Sequence, residues 1–128
     1  MTSIVTNGIE ISVKTKYFAL QSDPKSGHYF FVYEITINNK SDYTVQLLKR
    51  HWDITDALGV KRSVDGEGVV GETPVIEPGE LYSYSSGCDF NTELGKMSGY
   101  YTMKKQVDDS EFNVLIPEFL MVLPAKLN

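Results

Sequence analysis

The chain has 128 residues, 41% of them hydrophobic and 23% charged, with 17 acidic against 12 basic side chains and a formal net charge of −5. That length suits one domain, 1–128, with a core of its own, and eight Tyr and six Phe favour strands, where flat rings pack on a pleated surface. The acidic balance leaves no basic surface for neutralising phosphates, so neither nucleic acid nor a membrane surface is expected as a partner.

Residues 1–8 have neither the basic nor the apolar segment of a secretory leader. The longest apolar run, Phe119-Leu120-Met121-Val122-Leu123, is too short to span a bilayer. Cys88 is the only cysteine, which excludes an intramolecular disulfide. The expected location is the cytoplasm.

In chain order, Ile9, Ile11 and Val13 alternate with polar residues, the period of a half-buried strand. Residues 21–27, Gln-Ser-Asp-Pro-Lys-Ser-Gly, form a linker dense in turn formers. Residues 28–38 read as a central strand with Phe31, Tyr33, Ile35 and Ile37 on one face. A turn at 38–42 leads into a long strand, 43–55, with Leu48, Trp52 and Ile54 facing one way. Asp56-Ala57-Leu58-Gly59 suits a type I turn with glycine in the left-handed position, and that register sets Trp52 opposite Val64. Residues 65–79, with four glycines and two prolines, and 87–96 read as long connections. Further strands are expected at 80–87, 98–107 and 111–123, and Pro117 marks the last as an edge or bulged strand.

About seven short strands without crossover helices describe an all-β antiparallel sandwich of the immunoglobulin or fibronectin type III kind. Buried Trp52 fits that core. A structureless connection of about 15 residues is uncommon in a compact domain and is often functional, which makes 65–79 the candidate site.

Within it, Gly66-Glu67-Gly68-Val69-Val70-Gly71 has the spacing Gly-x-Gly-x-x-Gly. In a dinucleotide-binding fold that motif opens a helix. Here Pro74 and Pro78 forbid one, so the default is a glycine-rich turn. Backbone N–H groups in such a turn also make a possible cradle for a phosphate, with Arg50, Lys61 or Arg62 as supporting charge if the fold brings them near. His28 and His51 are isolated and no zinc spacing exists, so no metal and no cofactor are expected. Cys88 and His51 would make a nucleophile and base only with an orienting third group, and none is identifiable. No catalytic residue is assigned, and the chain is not expected to be an enzyme.

Three stretches together resemble the ApaG family: Gln46-Leu47-Leu48-Lys49-Arg50-His51-Trp52, then Gly66 through Gly71 with Glu72-Thr73-Pro74, then Pro78-Gly79-Glu80 running to Tyr84-Ser85-Ser86-Gly87. Gln21-Ser22-Asp23-Pro24, Gly99-Tyr100-Tyr101-Thr102-Met103 and Ile116-Pro117 extend the resemblance over nearly the whole chain. It implies a fibronectin type III-like sandwich, a bacterial cytosolic protein linked to cobalt and magnesium tolerance, and no established enzymatic activity. The expected function is a non-catalytic binding module whose partner is a protein, a second copy of the chain included. A binder of a small phosphate- or pyrophosphate-containing ligand at the 66–71 loop is the alternative. Val69, Val70, Val75 and Ile76 face two choices: a satellite core under the loop, or apolar area offered to a partner.

Overall fold

The computed structural model describes residues 1–124, built from nine strands and two single-turn 3₁₀ helices (Ala19–Gln21 and Pro24–Ser26). The strands are β1 (Thr2–Thr6), β2 (Ile9–Tyr17), β3 (Tyr29–Asn39), β4 (Val45–Asp56), β5 (Lys61–Glu67), β6 (Val75–Ile76), β7 (Leu81–Phe90), β8 (Leu94–Lys105) and β9 (Glu111–Val122). One antiparallel sheet runs β1-β2-β3-β7; the other runs β5-β4-β8-β9, with β6 pairing the start of β4. The two face each other as a sandwich, and β9 packs against β1 and β2 at one side. Among the described residues no helix is long and apolar enough to cross a membrane.

The alternation read for β2 and β3 holds. Ile9, Ile11, Val13, Phe31, Tyr33, Ile35 and Ile37 all point into the core. Trp52 is 3% exposed and meets the rings of Tyr33 at 5.3 Å and Phe119 at 5.8 Å, both edge to face. It pairs with Val64 as the turn predicts. That turn closes with Gly59 at φ +84° and the Gly59 N–H donating to the Asp56 carbonyl at 3.1 Å. Pro117 lies in edge strand β9, where two residues, Pro117 and Glu118, sit between the Met97–Phe119 and Gly99–Ile116 pairs while β8 has one. The bulge removes the need for a ladder donor at the proline.

Three expectations need correction. The strand count is nine because Thr2–Thr6 pairs with β2 through a two-residue Asn7-Gly8 turn, both residues at positive φ, and because 75–76 pairs with β4. Residues 87–96 are not a long connection: β7 continues to Phe90 and β8 starts at Leu94. The two glycines of this span make space for rings. A Cβ at Gly87 would lie 2.3 Å from the Phe30 ring, and one at Gly95 would lie 2.2 Å from the Phe90 ring. Finally, Leu48 does not share the inward face of Trp52 and Ile54. It is the extra residue of a bulge, since the pairing of β4 with β8 slips between Leu47 and Lys49.

Candidate functional site

The Leu48 bulge positions the site. Before it, Val45 and Leu47 face the core; after it, the inward positions become Arg50, Trp52 and Ile54. A strand's faces alternate strictly, so one extra residue moves every later side chain to the opposite face. The result is a guanidinium at the interior end of the sandwich, where alternation alone would have set it outward.

Residues 65–79 are structured throughout. The Gly68 N–H extends the β5 ladder by donating to the Leu48 carbonyl at 2.8 Å. Val69 and Glu72 exchange backbone hydrogen bonds at 2.8 and 2.9 Å, closing a two-residue hairpin whose tip residues, Val70 and Gly71, have φ of +43° and +79°. Gly68, at φ +59°, cannot be replaced without strain: a Cβ would stand 2.1 Å from the Glu72 carbonyl oxygen. The Leu47 N–H donates to the Pro74 carbonyl at 3.0 Å, and β6 follows. Buried Asn39 donates from Nδ2 to the Ile76 carbonyl at 2.9 Å and the Tyr43 carbonyl at 2.7 Å, tying the loop to the β3 end. The four apolar residues divide: Val69 and Ile76 are core, at 1% and 2% exposed, while Val70 and Val75 are 61% and 50% exposed.

Arg50 is the fastener beneath the hairpin. Its Nη1 donates to the Glu67 carbonyl at 2.9 Å and the Gly68 carbonyl at 3.0 Å, and its guanidinium lies where a side chain at Gly66 would be, 2.6 Å from that missing Cβ. Beside it is a pocket of about 300 Å³ lined by Arg50, Tyr33, Trp52, Tyr84 and Ser86 and roofed by the hairpin. Tyr84 and Tyr101 hydrogen-bond through their hydroxyls, and Ser86 lies beside the Tyr33 phenol. Burial pushes all three phenols up, so they remain protonated donors.

The fold does not bring Lys61 and Arg62 to this place. They stand at the opposite end of β5, four or more residues from Gly66, on the order of 13 Å at the rise of a strand. Arg62 Nη2 donates there to the Asp89 carbonyl at 2.6 Å and to Cys88 Sγ at 3.2 Å. Of the loop's N–H groups, those of Gly68, Val69 and Glu72 are already used within the protein. Pro74 ends the hairpin segment and contributes its carbonyl to β4.

The sequence profile of the ApaG domain matches residues 19–105. A Brucella canis protein named ApaG is 48% identical over 126 residues, covering 98% of this chain and 96% of its own length. The chain belongs to the ApaG family. A crystal structure described as the putative ApaA protein from Bordetella pertussis superposes with a TM-score of 0.87 at 38% identity, covering 95% of each chain. The X-ray structure of a structural-genomics target gives the same TM-score at 43% identity, over 92% of this chain and 89% of that one.

Two further groups of this ApaG domain lie apart from the pocket. On the outer face of the β5-β4-β8-β9 sheet, His51 is held between carboxylates, Nδ1 2.7 Å from Asp65 and Nε2 3.1 Å from Asp53, with its ring 4.9 Å from that of Tyr100. The Asp65 hydrogen bond, with Asp53 adding to it, raises its pKa. Cys88 belongs to the other sheet, and burial pushes its thiol up. Tyr33, Tyr84, Tyr101 and Ser86 had no signal as site residues in the sequence, since a tyrosine at an inward strand position reads as core.

Proposed function

We propose that the domain is a non-catalytic binding module that takes a protein partner at the 69–72 hairpin. One observation carries the reading. Val70 is β-branched, sits at φ +43°, and is 61% exposed. Valine is among the least tolerant residues of that conformation, where asparagine and glycine are at ease. Backbone strain that leaves most of the side chain exposed points to a use for it. The scaffold beneath is rigid: reciprocal backbone bonds, the Arg50 tie and buried Val69 hold the tip in one shape, which lowers the entropy lost on binding.

The non-catalytic part is supported by chemistry. The two reactive side chains weighed as nucleophile and base lie on different sheets, one with a raised thiol pKa and the other enclosed by two carboxylates. The link to cobalt and magnesium tolerance runs, on this reading, through the partner, and the setting is the cytosol.

The test is affinity capture from a native lysate with wild type and Val70→Asp. Because Val70 is exposed, the variant keeps its melting temperature within a few degrees. Capture of the partner is lost. A stable Val70→Asp domain that retains every wild-type partner overturns the proposal.

A further inference from the structure

The pocket under the hairpin carries a donor set that partner binding at the Val70 tip does not use. Arg50 has five N–H donors in a planar fork. Among the described residues only Nη1 is engaged, on two carbonyls. No buried side-chain nitrogen or oxygen there lacks a partner, so Nε and Nη2 are in contact with solvent. The Tyr84–Tyr101 pair holds two phenolic protons and uses one in its mutual bond. When Tyr101 donates, the Tyr84 O–H is left to donate to the pocket that Tyr84 lines. A guanidinium fork and a phenol lining one pocket make a site for a small planar anion.

We propose that this pocket binds a small organic monocarboxylate, its carboxylate on Arg50 and beside the Tyr84 hydroxyl. Charge selects the monoanion. Arg50 is the single cation lining the pocket, and Glu67 lies on its rim. A phosphate monoester carries about −1.5 to −2 at neutral pH, and pyrophosphate carries more. Either would leave negative charge unmatched in a partly desolvated space, which is costly. One carboxylate is matched by one guanidinium. The amides of Gly68, Val69 and Glu72 are spent within the fold and add nothing to hold a larger anion.

Trp52 is the only tryptophan of the chain and lines the pocket, so its fluorescence reports occupancy there. Wild-type protein titrated with benzoate should show a saturable change in emission. Benzamide, the neutral isostere, should bind about tenfold more weakly or worse, the loss expected for a charge-assisted hydrogen bond. Pyrophosphate should be weaker than benzoate. Arg50→Gln should erase the preference for benzoate over benzamide, and Tyr84→Phe should weaken benzoate while leaving the fold intact. If Arg50→Gln does not fold, the wild-type benzamide comparison and Tyr84→Phe decide. No saturation with benzoate, equal binding of benzamide, tighter binding of pyrophosphate, or undiminished benzoate binding by a folded Arg50→Gln overturns the assignment. Val70 also lines this pocket, but the ligands and variants used here leave the hairpin tip unaltered, so capture at Val70 is read separately.

Discussion

Replacing Val70 by asparagine should stabilise the domain. The left-handed conformation costs an ordinary L-residue about 1–2 kcal/mol, and Val70 occupies it at φ +43° as the first tip residue of a two-residue turn. Full burial of a valine contributes at least about 1.5 kcal/mol. At 61% exposed, Val70 retains on the order of 0.5 kcal/mol of that. Asparagine relieves most of the strain and forfeits that remnant, a net gain of about 0.5–1.5 kcal/mol. For a domain of this size that is a rise of about 2–5 °C in melting temperature. Val70→Gly relieves the same strain but frees the unfolded chain, at a cost of about 0.5–1 kcal/mol, and should fall near wild type. Thermal melts followed by circular dichroism rank the three proteins, with asparagine expected highest. Wild type as the most stable of the three would refute the reasoning, because it would mean that the Val70 side chain is packed and its backbone unstrained. The stabilised Val70→Asn protein should also bind its partner less well, as expected where strain serves recognition.

Two other outcomes follow from the core and the outer face. Trp52→Ala should cost about 3–5 kcal/mol in urea unfolding, and native Trp52 emission should be blue-shifted and move to the red as the protein unfolds; a red native spectrum would show that the ring is wet. His51 should make stability pH-dependent. Its folded-state pKa lies above the free value of 6.5 because of the Asp65 hydrogen bond, so protonation favours the fold. The contribution is fully present below about pH 6.5 and is lost as pH rises through the raised value. Chemical denaturation across that window should show stability falling with pH, and His51→Gln should flatten the fall; a rise with pH in wild type would contradict the assignment.

The parts of the fold that alternation controls were legible in the sequence. β2 and β3 carry period-two apolar residues because one face is core, and the Asp56-Gly59 turn set the β4–β5 register through glycine's left-handed conformation. β1 was less legible, since Thr2–Thr6 buries no residue fully and so shows no core face, although Asn7-Gly8 is a strong two-residue hairpin signal. The strands across 87–96 were not legible, since Gly87 and Gly95 yield space to Phe30 and Phe90, and a strand glycine is written like a loop glycine. The 65–79 segment was legible as unusual, and Arg50 as a candidate charge. The bulge at Leu48, which has no compositional mark and takes Leu48 off the face that Arg50 shares with Trp52 and Ile54, was not legible. Nor was the division of Val69 and Ile76 inward from Val70 and Val75 outward, which depends on the hairpin tip at 70–71.

The central claim, that the hairpin tip is the recognition element, is tested most directly by site-specific photocrosslinking. A photoreactive phenylalanine analogue replaces Val70 in one protein and Leu120 in another. Leu120 is comparably exposed, at 59%, but lies on edge strand β9, two strands beyond β4, which carries the hairpin segment. Irradiated in lysate, the protein labelled at position 70 should form one dominant adduct that is absent from the protein labelled at position 120. An adduct of the same partner from position 120 alone, or none from position 70, would contradict the account.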